Sequence, residues 1–276
     1  MCRKTSQSQY FQVLKYPWLV RLYDRYIRGG VKYPKPGCER DGLCGVNRLC
    51  GRIDKDGRGT CGFCGGSIVA SKYVITAAHC TAEYLGWRPS IKYYSNFSRI
   101  LRADEIAVRV GDTNLNSTAD DSLHGREVAR FINVARIHRH PEWLKDPERR
   151  WSEDAQLEEL RYDIAILELE EEVDLNILTP ACLPKRNSFA KFDGKLANVV
   201  GWGKTKEKPT WGNGKAEYPE TPQEVKLLVQ RYNSSLHDSI IHARNEAHGD
   251  RDVGDCHVSF DILYCYEIVR NVEVRL

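Results

Sequence analysis

The chain has 276 residues, 41% hydrophobic and 29% charged, which is enough apolar mass for a sizeable core. Forty-one Lys and Arg against thirty-eight Asp and Glu leave a net charge of +3, too balanced to point to nucleic acid. No apolar stretch reaches the roughly 20 residues of a membrane-spanning helix, and low-complexity tracts and solenoid periods are absent.

Ten cysteines are present: Cys2, Cys38, Cys44, Cys50, Cys61, Cys64, Cys80, Cys182, Cys256 and Cys265. Six of them cluster between residues 38 and 80, and the total is even. That pattern predicts a disulfide framework and an extracellular, oxidising location. The competing zinc reading finds no common ligand spacing in Cys38, Cys44, Cys50 and Cys61. Sequons at Asn96, Asn116 and Asn233 agree with secretion. A signal peptide is therefore expected, although Met1 to Leu22 shows no continuous apolar core and no small-residue cleavage site.

In chain order, strands are predicted at Trp18-Leu-Val-Arg-Leu-Tyr23, Ile68 to Ile75, Ala107 to Val110, Asp163 to Leu169 and Leu196 to Val200. These runs alternate or are short and β-branched, and Gly, Asn and Pro clusters separate them. They predict an all-β barrel or sandwich. Residues 24–62 read as a Gly- and Arg-rich loop, and only Trp151 to Arg161 reads as helical. Residues 1–62 hold thirteen Lys/Arg and five Asp/Glu, an excess of +8, whereas residues 231–276 hold five and eight, an excess of −3. The chain changes character near Gln230.

The strongest chemical signal is Cys64-Gly-Gly-Ser-Ile-Val-Ala-Ser-Lys-Tyr-Val-Ile-Thr-Ala-Ala-His79-Cys80. It resembles the histidine segment of the chymotrypsin-like (trypsin-family) serine proteases. Other strings resemble that family in the same order. They are Tyr16-Pro-Trp-Leu-Val, Val108-Arg-Val-Gly-Asp-Thr-Asn-Leu, Arg161-Tyr-Asp163-Ile-Ala-Ile-Leu-Glu-Leu, Pro180-Ala-Cys182-Leu-Pro and Val200-Gly-Trp-Gly203. The resemblance implies an all-β, chymotrypsin-like double β-barrel, with the first barrel complete and the second incomplete. It also implies a Cys64–Cys80 disulfide, His79 as general base and Asp163 as the carboxylate that orients it. The expected layout is a non-matching segment 1–15, a protease domain 16–230 and a divergent tail 231–276. Within the domain, residues 24–62 form a Cys-rich basic loop insertion. A second insertion, Pro141 to Arg161, helps to separate His79 from Asp163 by 84 positions, against about 45 in the template mechanism.

The nucleophile does not follow the family pattern. The family carries its serine in Gly-Asp-Ser-Gly-Gly, whose glycines free backbone N–H groups to hold an oxyanion, and the sequence contains no such string. Two registers can be drawn through the tail. One places Gly254-Asp255-Cys256 at the nucleophile turn, with a thiol in place of the hydroxyl. The other places Ser259 between Cys256 and Cys265. Neither has the glycines, so a divergent tail without a nucleophile is the preferred expectation. An Ile-Val-Gly-Gly-like activation segment is also missing before Tyr16. The loop from Asp112 to Glu127 resembles the family's calcium loop, with Asp112, Asn114 and Glu127 as candidate ligands. A charged surface loop is the alternative, and no other cofactor is expected. The implied function is serine-type endopeptidase action on protein or peptide substrates through an acyl-enzyme. The alternative is an inactive protease homologue that binds partners outside the cell, with the basic loop engaging an acidic protein. A monomer is expected in either case.

Overall fold

A computed structural model describes residues 15–24, 43–44, 48–53, 59–84, 97–115, 121–123, 125–143, 162–183, 192–203, 219–230 and 242–244. Among these described residues fifteen strands follow one another: β1 (Leu19–Asp24), β2 (Leu43–Cys44), β3 (Arg48–Ile53), β4 (Gly59–Ala70), β5 (Tyr73–Thr76), β6 (Ala82–Tyr84) and β7 (Phe97–Ile100). Then come β8 (Ile106–Val110), β9 (Ser122–Leu123), β10 (Arg126–Glu127), β11 (Arg130–Arg139) and β12 (Ala165–Leu169). Last are β13 (Leu196–Gly201), β14 (Gln223–Gln230) and β15 (His242–Arg244). Two short 3-10 turns, Ala78–Thr81 and Ala103–Glu105, are the helical elements among the described residues.

Six strands close into a barrel in the order β1-β8-β11-β12-β5-β4, and β1 pairs with β4 to complete the ring. All of these pairings are antiparallel. Closure abolishes exposed edges, and strand alternation fills the interior. Val20 and Leu22 of β1, Ile68 of β4 and Val74 of β5 point inward. They meet Ile106, Val108 and Val110 of β8, Ile132 and Val134 of β11, and Leu167 and Leu169 of β12. Each such side chain contributes about 1.5–3 kcal/mol on burial. Gly66 is required where β4 runs close against β5. A Cβ there would stand 2.9 Å from both the Ile75 carbonyl oxygen and Val74 Cγ1.

The observed strands β1, β8, β12 and β13 overlie the predicted apolar runs. The run Ile68 to Ile75 is two strands with a turn at Ser71 and Lys72 between them. A larger difference lies in residues 24–62, expected to be a loop. Strands β2 and β3 and the start of β4 fall inside it, and β3 and β2 extend the sheet beyond the barrel. Glycines at positions 59, 62, 65 and 66 hid a 12-residue strand, because a residue without a side chain shows no alternation. The helix expected over Trp151–Arg161 lies outside the described residues.

The second unit is an antiparallel sheet in the order β13-β14-β15 among the described residues. It meets the barrel through Trp18, Leu19, Leu115 and Ala181 on one side and Val199, Val200, Trp202 and Leu227 on the other. The backbone ties the two units as well: Leu115 N donates to Glu220 O at 3.0 Å, and Ala181 N donates to Ile68 O at 2.8 Å. At the rim, Lys15 Nζ and the Tyr16 hydroxyl both donate to Glu224 Oε2, at 2.9 and 2.5 Å.

Candidate active site

His79 stands in the 3-10 turn directly after β5, whose Thr76 Oγ1 donates to the Gly65 carbonyl at 2.8 Å. Cys64 on β4 and Cys80 in the turn form a disulfide with Cα atoms 6.1 Å apart. The turn is thus anchored on both flanks of the imidazole. Arg139 adds a further brace from β11. Its Nε donates to Thr81 Oγ1 at 2.6 Å, and its Nη2 to the Thr81 and Leu101 carbonyls at 3.0 and 2.7 Å. Burial without a carboxylate in those contacts lowers the Arg139 pKa from its ordinary value.

Asp163 is 3% exposed and His79 5%. His79 Nδ1 lies 2.6 Å from Asp163 Oδ2, and the His79 backbone N–H donates to Asp163 Oδ1 at 2.7 Å. One carboxylate therefore holds both the ring and the main chain of the same residue. An ionised carboxylate can only accept, so Nδ1 carries a proton, and in the neutral ring Nε2 keeps its lone pair. Ring geometry and tautomer are fixed together, and Nε2 is the atom able to take a proton from a substrate or nucleophile.

The turn that presents Asp163 is strained. Tyr162 has φ +55°, a left-handed conformation rare for a bulky residue. Its ring stacks on His140 with centroids 4.7 Å apart and planes 9° from parallel. The Ile164 N–H donates to the Tyr162 carbonyl at 2.7 Å, and the His140 N–H to the Ile164 carbonyl at 3.0 Å. Sequence reasoning missed both this stack and the Arg139 brace. The only available signal was an aromatic directly before Asp163.

Cys64, His79 and Cys80 offer donor atoms within 4.8 Å of one another, as a metal site would. Both sulfurs are spent in the disulfide, so no thiolate is present to bind an ion. The candidate calcium residues fare no better. Asp112 is buried and accepts from Arg109 Nε through Oδ2 and from the Asn114 backbone N–H, at 3.0 Å, through Oδ1. Arg109 Nη2 also donates to Asp121 Oδ1 at 2.8 Å. Burial opposes the charge on Arg109, but the two carboxylates outweigh it and raise its pKa. A guanidinium thus stands where a cation would neutralise these acids, and the third candidate, Glu127, is exposed on β10. Among the described residues, the acids at Asp112 and Asp121 are thus paired with a guanidinium. Cys182 is disulfide-bonded too. The nucleophile candidates Cys256 and Ser259 lie outside the described residues.

A family model described as trypsin matches residues 54–255, well over half of the chain. The chain belongs to the trypsin family. That match includes His79 and Asp163, and it ends at the residue before Cys256. This trypsin-family chain is similar to serine protease ea of Drosophila melanogaster, 30% identical over 156 residues, which are 52% of the chain and 33% of the relative. It is also similar to serine protease filzig of the same organism, 32% identical over 167 residues, 60% of the chain and 7% of the relative. Phenoloxidase-activating factor 1 of Holotrichia diomphalia is 26% identical over 149 residues, 51% of the chain and 34% of the relative. The chain spans less than half the length of each of these relatives. No helix among the described residues is long and apolar enough to cross a membrane.

Proposed function

We propose that this chain is an extracellular member of the serine endopeptidases that keeps the acid–base half of acyl transfer and lacks a competent nucleophile. His79 is the general base and Asp163 fixes its tautomer and stabilises the imidazolium. The observation that carries the reading is the buried His79–Asp163 pair, with both carboxylate oxygens engaged by one residue. The missing half is read from the sequence, which has no Gly-Asp-Ser-Gly-Gly turn to supply hydroxyl and oxyanion donors. Loss of a nucleophile alone costs on the order of 10⁶ in turnover in a related mechanism.

A fluorophosphonate probe tests this, since it labels an activated serine. We expect no labelling and no peptide hydrolysis above background. Stoichiometric labelling of Ser259 would overturn the reading. Labelling of Cys256 by a thiol-directed peptide inhibitor, abolished by His79→Ala, would overturn it in favour of a cysteine nucleophile. A second reading, a binding protein for acidic partners, draws on the +8 excess in residues 1–62. It requires salt-sensitive binding of polyglutamate that Lys/Arg→Gln changes in residues 25–58 remove.

A further inference from the structure

The residue directly before Asp163 is in an unfavourable backbone conformation. Tyr162 has φ +55°, and a bulky side chain keeps such an angle only where its surroundings impose it. Two contacts do so. The half-buried Tyr162 ring lies nearly parallel to the His140 ring, with centroids 4.7 Å apart. It also packs against the small buried cluster of Ala78, Ala82, Trp143 and Ala165. That cluster joins the turn carrying His79 to the strand that follows Asp163, so the Tyr162 ring rests on both segments that present the pair.

His140 is held in turn. Its backbone N–H donates to the Ile164 carbonyl and its carbonyl accepts from the Trp143 N–H, each at 3.0 Å. Its ring is fixed as well, because Nδ1 accepts from the Glu142 backbone N–H at 3.2 Å. Main chain and ring together set the plane on which Tyr162 lies. If Tyr162 relaxed to a negative φ, its ring would leave that plane, and the chain entering Asp163 would turn. The carboxylate would then move off the His79 ring and backbone N–H, contacts of 2.6 and 2.7 Å that tolerate little displacement. Stacking opposes the relaxation, since parallel rings lose contact as one of them tilts.

We infer that Tyr162 and His140 are positioning residues for the His79–Asp163 pair. The stacked rings keep the Tyr162 backbone left-handed and so hold the Asp163 carboxylate on His79. Their role presupposes the reading of that pair as the acid–base half of acyl transfer.

The test follows the His79 Nδ1 proton of the full chain by ¹⁵N-resolved NMR, because its exchange with water requires the bond to Asp163 to open. Backbone amides of β1 and β8 in the same samples report general opening of the barrel. Tyr162→Gly accepts the left-handed backbone and removes one ring, His140→Ala removes the other, and Tyr162→Phe keeps a ring in the stack. Relative to the barrel amides, we expect the Nδ1 proton to exchange about tenfold faster or more in Tyr162→Gly and His140→Ala. Tyr162→Phe should stay at the parent rate. A purely structural stack would change ring proton and barrel amides alike, or neither, and either result overturns the inference. So does a Tyr162→Phe chain that exchanges as fast as Tyr162→Gly. A parent chain with no protected Nδ1 proton would instead remove the His79–Asp163 pair, and this role with it. A protected parent with an equally protected Tyr162→Gly leaves the pair standing and removes only the role of the stack. Should His140→Ala fail to fold, the two Tyr162 variants still decide.

Discussion

Asp163→Asn isolates what the buried carboxylate does for His79. In the parent chain Asp163 makes two short bonds to one residue, 2.7 Å to the backbone N–H and 2.6 Å to the ring. Hydrogen bonds to a charged group contribute about 1.5–3 kcal/mol each, against about 0.5–1.5 kcal/mol for neutral ones. Removing the charge from both therefore costs about 2–3 kcal/mol. In a domain of this size that lowers the melting temperature by roughly 4–12 °C. The ring responds as well. If the Asn carbonyl keeps the backbone N–H, its NH₂ group faces Nδ1 and can only donate. The imidazole must then carry its proton on Nε2 and lose the lone pair a base needs. Urea unfolding measures the first effect, and ¹⁵N-resolved NMR of the His79 ring measures the second. Unchanged stability together with a proton still on Nδ1 would refute the reasoning, because the carboxylate would then neither hold nor orient the ring.

Three further outcomes follow from local geometry. Replacing both Cys64 and Cys80 by Ala opens a cross-link of sequence separation 16, and urea titration should show a loss of about 3 kcal/mol. Gly111→Ala places a Cβ 2.4 Å from the Val128 carbonyl oxygen at φ +68°, so a loss of about 2–4 kcal/mol is expected in the same assay. In alkali, burial and then the bond to Glu224 push the Tyr16 hydroxyl pKa up, while Lys15 is raised to about 12, first by Tyr16 and then by Glu224. Both groups hold protons more tightly when folded, so their contribution is complete below about pH 10 and falls as pH rises toward 12. The urea midpoint should drop over that window, and Glu224→Gln should make the drop shallower.

Ordered strings along the chain made much of the barrel and the His79–Asp163 pair legible. Apolar alternation marks β1, β8 and β12 because each has a face on a common core, and His79 and Asp163 sit next to such runs. The features that escaped lack a pattern of that kind. Arg21 reads as an ordinary outward polar position in Trp18-Leu-Val-Arg-Leu-Tyr23. In the fold it is buried, with Trp202 of the second unit against its guanidinium. The 12 residues of β4 are held by pairing with β1, β3 and β5 and not by their own propensity. The guanidinium in the Asp112 loop was invisible for a related reason. Arg109 precedes Asp112 by only three positions, but β8 is buried on both faces, and its face away from the barrel core turns the charge to the acids.

The pairing of β1 with β4 also governs how the chain carries its long insertion. Asp24 lies opposite Cys61 and Tyr23 opposite Gly62, so the two ends of the intervening thirty-six residues are held side by side by the barrel wall itself. Loop-closure entropy grows only as 1.5RT ln n, so going from about four residues to thirty-six costs at most about 2 kcal/mol. Because β3 within that segment also pairs with Cys61 and Gly62, an exchange that keeps β3 leaves both anchoring residues in register. Its length and chemistry can therefore drift while His79, on the far side of β4 and β5, keeps its position.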